Sequence, residues 1–276
     1  MAFERKEPLF TSPLETFSGL TISDLNRYLP AIQKIEDLKM TNEDLREGLF
    51  LGLGLDGLRQ LPEDTIDLII ADPPESPWRC TGDRGSSMTI QEYYQWNQCW
   101  LEQSYRVLRN TGAIYLMTGW RYSGMYQALL SNYFKVQSRI TWPNRHAHDQ
   151  PSRRVWLNHL SDIWFATKTK DFMFNQQAAY RRSKIADESY NLGTSNFWGD
   201  ILNVQSGNMV KLEGDKPEQL IQRILNTSSF KLNWIVDPFM RAGGVGVVAK
   251  KMGRRFIGFE SDQDRLLVAM KRIDRV

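Results

Sequence analysis

The sequence predicts an α/β fold built on a doubly wound, mostly parallel sheet. Short apolar runs rich in β-branched residues, such as TIDLII over 65–70, alternate with longer segments whose apolar residues have helical spacing. Two of these runs end in Asp-Pro, at Asp72 and at Asp237, and a glycine-rich turn at 243–246 leads into a helical segment. Alternating strands and helices favour a parallel sheet covered on both faces, and ligands of such folds bind beyond the carboxyl ends of the strands.

The predicted elements follow one another as strands and helices along most of the chain. Apolar runs bounded by turn residues predict strands over 49–55, 66–74, 111–119, 135–142, 160–168, 233–239 and 254–262. Helical spacing predicts helices over 56–61, 88–110, 121–134, 216–229, 243–253 (with its glycine turn) and 263–273. The aromatic stripe of the helix over 88–110 is interpreted as core packing.

Composition is that of an ordinary globular chain. The 276 residues allow one large α/β domain, with 41% hydrophobic and 24% charged residues. There is no apolar run of about eighteen residues and no apolar signal core at the N-terminus, so a cytoplasmic protein without a membrane span is expected. Two cysteines outside any CxxC pair and three histidines argue against a disulfide framework and against a zinc site.

The distribution of basic residues is more informative than the net charge of +3. Two segments, 138–156 and 179–190, mix Arg, Lys or His with Trp or Tyr. Arginine and lysine contact phosphates, and aromatic rings stack on unpaired bases. The same segments also fit solvated loops with a few aromatic core anchors, and composition leaves both interpretations open.

The C-terminal part of the chain has the order expected of a nucleotide-containing cofactor site. After Asp237 come the glycine turn at Gly243 and Gly244, a helix and a strand that ends at Glu260. Such a turn lets a cofactor approach the backbone, and an acid at the end of the next strand accepts hydrogen bonds from ribose hydroxyls. The alternative is a glycine turn that serves only helix–strand packing.

The earlier strand end places an acid before two rigid carbonyls. Proline fixes φ and has no N–H, so Asp72, Pro73 and Pro74 form a stiff group of hydrogen-bond acceptors. By itself this motif also fits a turn that ends a strand.

Together these segments resemble the amino-methylating DNA methyltransferases that use S-adenosylmethionine, in the permuted (beta) order. In that family an Asp-Pro-Pro-Tyr motif comes early, and Asp-Pro-Phe with a Gly-Ser-Gly-like loop lies near the C-terminus. The matching segments here are LPEDTIDLIIADPP (61–74), YRVLRNTGAIYL (105–116), KPEQLIQRIL (216–225) and GVVAKKMGRRFIGFE (246–260), in that order. The resemblance spans 49–275 and implies a Rossmann-like methyltransferase fold with an irregular DNA-recognition insertion.

The resemblance also implies a reaction and its residues. The protein would transfer a methyl group from S-adenosylmethionine to N6 of adenine or N4 of cytosine in a flipped base of duplex DNA, with Asp72 and the Pro73 carbonyl accepting the amino hydrogens. The implied catalytic residues are Asp72, Pro73, Pro74, Glu75 and Trp78. The implied cofactor-binding residues are Lys216, Asp237, Phe239, Arg241, Gly243, Gly244 and Glu260. Candidates for DNA contact are Arg145, Arg153, Arg154, Arg181, Arg182 and Lys184, and no metal is implied.

Three positions depart from the family pattern. Glu75 stands where the family has an aromatic ring that stacks on the base, so either Trp78 takes that place, or Glu75 paired with Arg79 or Arg84 bonds the base edge, or the pocket no longer takes a base. Arg241 replaces the first glycine of the cofactor loop, where it would bind the cofactor carboxylate or block the pocket, and Leu53 replaces an Asp. The alternative function is therefore a catalytically impaired DNA-binding or partner subunit.

The resemblance divides the chain into four parts. They are a helical N-terminal extension (1–47), the catalytic half of the methyltransferase domain (48–141), a target-recognition region (142–210) and the cofactor-binding half (211–276). Double-stranded DNA is the expected partner, and a homodimer or a partner subunit is left open.

Overall fold

The fold is a twisted α/β sheet with helices on both faces, seen in a computed structural model. The structure describes residues 10–12, 15–16, 20–75, 88–144, 156, 158–180, 195–201 and 216–276. Within these ranges the strands are β1 Phe10–Ser12, β2 Glu15–Thr16, β3 Gln33–Lys34, β4 Gly48–Leu51, β5 Ile66–Ala71, β6 Leu108–Gly119, β7 Lys135–Pro143, β8 Leu160–Thr167, β9 Trp234–Asp237 and β10 Arg255–Glu260. The helices are α1 Ile22–Tyr28, α2 Gly54–Gln60, α3 Ile90–Val107, α4 Trp120–Tyr133, α5 Gln176–Tyr180, α6 Glu218–Ser228, α7 Gly244–Lys251 and α8 Gln263–Asp274.

The main sheet confirms the predicted doubly wound topology. Its strand order is β3-β4-β10-β9-β5-β6-β8-β7, and all neighbours from β3 to β6 are parallel. Strand β8 runs antiparallel to both β6 and β7. From the central pair, β5 leads through α3 to β6 on one side, and β9 leads through α7 to β10 on the other. The crevice between β5 and β9 is therefore the topological switch point, where ligands of open α/β sheets bind.

Register within the central pair brings the two Asp-Pro motifs together. Leu68 pairs with Ile235 and Ile69 with Val236 in the parallel ladder between β5 and β9. Asp237 ends β9 and Asp72 follows the last residue of β5, so both carboxylates lie at the same edge of the sheet.

Two apolar layers cover the sheet, because each face carries alternate side chains of the buried strands. One layer joins Ile69 and Val236 to α3 and α4 through Trp100 and Leu129. The other layer joins the opposite face of the sheet to α6, α7 and α8, with Ile224, Val248 and Leu266 fully or nearly fully buried. Helix α3 begins with a capping box, in which Thr89 and Glu92 bond each other's backbone N–H groups.

The N-terminal part is less helical than predicted. Of the expected extension over 1–47, the described portion contains one seven-residue helix, α1, two short 3₁₀ turns and the strands β1, β2 and β3. Strand β3 pairs with β4 and forms one edge of the main sheet. Helical spacing of Leu and Ile did not reveal this, because a two-residue edge strand is set by its neighbour and not by its own pattern.

The predicted recognition region also contributes to the core. Strand β8 lies inside 142–210, yet it sits in the main sheet between β6 and β7. Ile163, Trp164 and Phe165 are buried there. A structural strand therefore interrupts the region to which the resemblance assigns DNA recognition.

Among the described helices, none has the length and apolar character to cross a membrane.

Candidate functional site

Asp72 is the centre of a charged cluster at the carboxyl end of β5. Its Oδ2 lies 3.0 Å from Lys216 Nζ and 3.4 Å from Arg241 Nη2. The Asp72 side chain is only 13% exposed. Burial alone would raise the pKa of Asp72, but the ammonium of Lys216 and the guanidinium of Arg241 outweigh it and hold the pKa below its ordinary value. Asp72 is thus a carboxylate at neutral pH and a weak base.

The two cations reach Asp72 from separate elements. Lys216 precedes Pro217, the N-cap of α6, and Arg241 lies in the loop between β9 and α7. Arg241 adopts φ 50°, in the left-handed region that favours glycine. This chain places an arginine in a conformation that glycine adopts without strain, at a conformational cost of about 1–2 kcal/mol. The Asp72 carboxylate raises the pKa of Arg241 above its ordinary value.

Asp237 is a buried acid beside this cluster. Its Oδ1 accepts a hydrogen bond from the backbone N–H of Phe239, at 3.0 Å. Burial raises the pKa of Asp237 to about 8, although the Phe239 N–H opposes the shift, and the nearby Asp72 carboxylate adds to it. The Phe239 ring packs against Trp100 and Trp96 of α3, with ring centroids 5.2 Å and 5.6 Å away.

A cleft opens at this edge of the sheet and is called the central cleft below. Its empty volume is about 400 Å³. The lining residues are Ile70, Asp72, Met117, Lys216, Ile221, Asp237, Phe239, Met240, Arg241, Gly244 and Val245. Six predicted site residues thus meet on one surface.

Gly243 and Glu260 are placed beside the central cleft and not in its lining, among the residues described. Gly243 has φ 78° and precedes α7, and a Cβ there would lie 2.8 Å from the Cβ of Ala269. Glu260 is 7% exposed and its Oε1 accepts the N–H of Asp262 at 2.9 Å. Burial raises the pKa of Glu260. The turn at Gly243 therefore also packs closely against α8.

Glu75 lies at the far side of the Asp-Pro-Pro loop, near the carboxyl end of β6. A Cβ built on Gly119 would be 4.0 Å from the Glu75 carboxyl group. The charge of Glu75 also contributes to the raised pKa of Arg241, after that of Asp72. The two charged departures from the family pattern therefore act on one another electrostatically. Leu53, the third departure, is the N-cap of α2 and is half-exposed, without a side-chain cap.

Several predicted residues lie outside the described part of the chain. They are Trp78, Arg79, Arg84, Arg145, Arg153, Arg154, Arg181, Arg182 and Lys184. The base-stacking and DNA-contact roles assigned to them stay predictions.

The sequence interpretation missed one residue at this site, Tyr93. It belongs to the aromatic stripe of α3 and is fully buried, as predicted for core packing. Its hydroxyl nevertheless donates a hydrogen bond to the Pro74 carbonyl at 2.6 Å. The sequence did contain a signal for this contact, because Tyr93 occupies a buried position of the stripe and a buried tyrosine hydroxyl needs a hydrogen-bond partner.

Comparison with known proteins gives the family of this fold and site. The sequence matches the N6/N4 methyltransferase family, described as DNA methylase, over residues 66–271. The chain belongs to the N6/N4 DNA methylase family. Among its relatives, the type II methyltransferase M.HpaI of Haemophilus parainfluenzae is 30% identical over 225 residues, covering 79% of this chain and 71% of the relative. The type II methyltransferase M2.LlaDCHI of Lactococcus lactis subsp. cremoris is 28% identical, covering 79% and 86%.

Solved structures of the methylase fold agree with the architecture. The PvuII cytosine-N4-specific DNA methyltransferase superposes with a TM-score of 0.66 at 18% identity, covering 83% of this chain and 86% of its own. A complex of M1.HpyAVI with S-adenosylmethionine superposes with a TM-score of 0.60 at 21% identity, covering 82% and 98%. At these identities the likeness establishes the fold of the methylase domain.

Proposed function

We propose that this methylase transfers a methyl group from S-adenosylmethionine to the exocyclic amino group of a flipped base in duplex DNA. The observation that carries the proposal is the meeting of Asp72 and Asp237, with their Pro-Pro and Pro-Phe neighbours, at one cleft on the switch point of the sheet. Family membership and the relatives named as type II methyltransferases support it.

The residues of the central cleft fit the proposed cofactor chemically. S-adenosylmethionine carries an ammonium, a sulfonium and a carboxylate, so its site needs groups of both signs together with an apolar wall. The cleft provides a carboxylate at Asp72, a hydrogen-bonding acid at Asp237, cations at Lys216 and Arg241, and apolar contact from Phe239. When it is bound there, S-adenosylmethionine supplies a methyl group attached to its sulfonium, which is a good leaving group.

Lys216 and Arg241 are the candidate partners of the cofactor carboxylate, because charge-assisted hydrogen bonds favour that pairing. Glu260, beside the cleft, is the candidate acceptor for ribose hydroxyls. Gly243 and Gly244 form the turn that the cofactor approaches.

Asp72 is proposed to act as a hydrogen-bond acceptor and not as a general base. Both cations contact its Oδ2, so Oδ1 is the oxygen proposed to face the amino group of the base. The lowered pKa of Asp72 keeps it ionised but makes it a poor proton acceptor. With the Pro73 carbonyl, Asp72 would hold both amino hydrogens and favour a pyramidal nitrogen whose lone pair is available for attack. As the methyl carbon bonded to nitrogen, its bond to sulfur would break and leave a neutral thioether, and the methylated nitrogen would then lose one proton to water.

The residues that contact the base determine whether the target is adenine N6 or cytosine N4. The Asp-Pro-Pro motif favours adenine, whereas Glu75 and the following Ser76-Pro77-Trp78 are also compatible with cytosine. A carboxylate at 75 can accept a hydrogen bond from cytosine N4. A catalytically impaired subunit is the weaker alternative, because the relatives found are themselves named methyltransferases.

The test begins with calorimetric titration of S-adenosylmethionine into the protein, followed by methylation of duplex DNA and sequencing that distinguishes N6-methyladenine from N4-methylcytosine. Asp72→Ala should abolish methyl transfer while cofactor affinity changes little. Asp67 offers a matched control, since it lies on the same strand and also pairs with an arginine, Arg109, at the opposite edge of the sheet. Asp67→Ala should lower stability but retain transfer. Absence of cofactor binding at millimolar concentration, or full activity of Asp72→Ala, would contradict the proposal.

A further inference from the structure

A buried polar network connects the Asp-Pro-Pro loop to α3 and α4. Tyr93 donates to the Pro74 carbonyl at 2.6 Å, and its oxygen lies 3.0 Å from the hydroxyl oxygen of Tyr126. The Tyr126 hydroxyl also donates to Asn97 Oδ1 at 2.8 Å. Asn97 Nδ2 donates to the backbone carbonyl of Tyr93, and Trp100 Nε1 donates to Asn97 Oδ1. The side chains of Tyr93, Asn97, Trp100 and Tyr126 are 1% exposed or less.

The number of protons fixes the direction of these bonds. A carbonyl oxygen only accepts, so the single hydroxyl proton of Tyr93 goes to Pro74. The proton between the two tyrosines must therefore come from Tyr126, which shares it between the Tyr93 oxygen and Asn97 Oδ1. Asn97 can share in this way because Trp100 already supplies its Oδ1 with a second donor. Tyr126 and Asn97 thus orient the Tyr93 hydroxyl toward the loop.

The two prolines limit how the backbone of this loop can be held. Pro73 and Pro74 have no backbone N–H, so two consecutive residues cannot donate to a neighbour. A carbonyl is the group that the scaffold can hold, and Tyr93 holds the carbonyl of Pro74. The position of Pro74 constrains Pro73 and Asp72 directly, because proline φ angles are fixed.

The same helix also contacts the second motif. Trp96 and Trp100 of α3 pack against Phe239, which follows Asp237 and Pro238. Helix α3 therefore touches the loops of both motifs, with a hydrogen bond to Pro74 on one side and ring packing against Phe239 on the other.

We propose that Tyr93 is a positioning residue for methyl transfer, whose hydroxyl holds the Pro74 carbonyl and thereby aims Asp72 and the Pro73 carbonyl at the amino group of the target base. Tyr126 and Asn97 orient Tyr93. This inference rests on the proposed methyltransferase function and adds a role for residues outside the central cleft. Misplacement of a reacting geometry by about 1 Å costs on the order of a hundredfold in rate.

The test compares three tyrosine-to-phenylalanine variants of the full chain. Tyr93→Phe should lower the single-turnover rate of methyl transfer by about tenfold to a hundredfold, while the calorimetric Kd for S-adenosylmethionine and the KM for DNA stay within about twofold of wild type. Tyr126→Phe should lower the rate less, because Pro74 keeps its donor.

Tyr115→Phe is the matched control. Tyr115 is also buried and its hydroxyl lies 2.8 Å from Ser228 Oγ, on the other face of the sheet. The Tyr115→Phe variant should be less stable in urea unfolding and should keep the wild-type rate of methyl transfer. A Tyr93→Phe rate equal to that of Tyr115→Phe would overturn the inference. Should Tyr93→Phe fail to fold, an unchanged rate in Tyr126→Phe would overturn it. A wild-type protein that binds cofactor or DNA but transfers no methyl would instead remove the proposed function, and this inference with it.

Discussion

Arg241 Nη2 lies 3.4 Å from Asp72 Oδ2, so a residue of the cofactor loop pairs with the acid of the Asp-Pro-Pro loop. The two loops follow adjacent parallel strands, β9 and β5. In the family pattern a glycine stands at 241, which has no side chain to make this contact. The pair thus departs from that pattern, and it adds a second cation to the Asp72–Lys216 pair.

The variant Arg241→Gly tests two effects of the arginine separately, on backbone strain and on cofactor binding. Glycine should relieve the strain of φ 50°, so the free energy of unfolding should change by no more than about 1 kcal/mol despite the lost ion pair. Cofactor affinity should fall several-fold, because the cleft loses a candidate partner for the carboxylate. Calorimetry and urea unfolding measure the two effects.

Leu232→Gly is the matched control for strain alone. Leu232 has φ 68° and is 65% exposed, in a turn before β9 at the opposite end of the strand. The Leu232→Gly variant should be more stable than wild type and should bind the cofactor with unchanged affinity. Tighter cofactor binding by Arg241→Gly would favour the alternative in which the arginine blocks the pocket.

Glu75 and Arg241 should behave as a coupled pair. Because the charge of Glu75 favours the charged form of Arg241, the effects of Glu75→Gln and Arg241→Gly on the methyl-transfer rate should not add. A double-mutant cycle should give a coupling of at least about 0.5 kcal/mol. Lys251, which pairs with Glu218 on the surface, provides the control, and Lys251→Met should add to Glu75→Gln independently. Additivity in both cycles would mean that Glu75 and Arg241 do not interact in the reaction.

Asp237 should make stability fall as pH rises toward 8. The ordinary pKa of this carboxyl group, 3.8, describes the unfolded chain, and burial raises the pKa to about 8 in the fold. The folded state therefore keeps a proton that the unfolded state loses between these two values. In urea unfolding, the stability of Asp237→Asn relative to wild type should therefore rise progressively from about pH 5 to pH 8. This pH window lies between the two pKa values of the wild-type carboxyl group. Asparagine retains an oxygen for the Phe239 N–H.

A difference in stability between Asp237→Asn and wild type that stays the same at every pH in that window would contradict the buried neutral acid.

Gly54 should tolerate no side chain. A Cβ there would lie 2.0 Å from the Pro238 carbonyl oxygen, so Gly54→Ala must displace the backbone that carries Asp237 and Phe239. We expect a loss of about 1–3 kcal/mol in unfolding free energy and a weaker affinity for S-adenosylmethionine. Gly124, within α4, has open space at its Cβ. Gly124→Ala should gain about 0.5–1 kcal/mol and leave cofactor affinity unchanged, whereas equal behaviour of the two variants would place Gly54 away from the cofactor loop.

The order of strands and helices was predictable because long apolar runs and helical spacing determine it locally. The runs ending at Asp72 and Asp237 became β5 and β9, and the segments after them became α3 and α7. The pairing partners of the strands were not predictable in this way. Strand β3 depends on β4, and the structural role of β8 depends on β6 and β7, because pairing partners far along the chain decide which strands join a sheet.

The sequence alone determined the motifs, their order and the three departures at Leu53, Glu75 and Arg241. Residue types carry that information directly, since proline, glycine and acids have fixed chemistry wherever they lie. Only the tertiary structure decided which charges meet. It placed Lys216 and Arg241 on the same oxygen of Asp72, and it connected the hydroxyl of Tyr93 to Pro74. Those contacts depend on distances of a few ångströms between separate elements, which side-chain packing sets and no local pattern records.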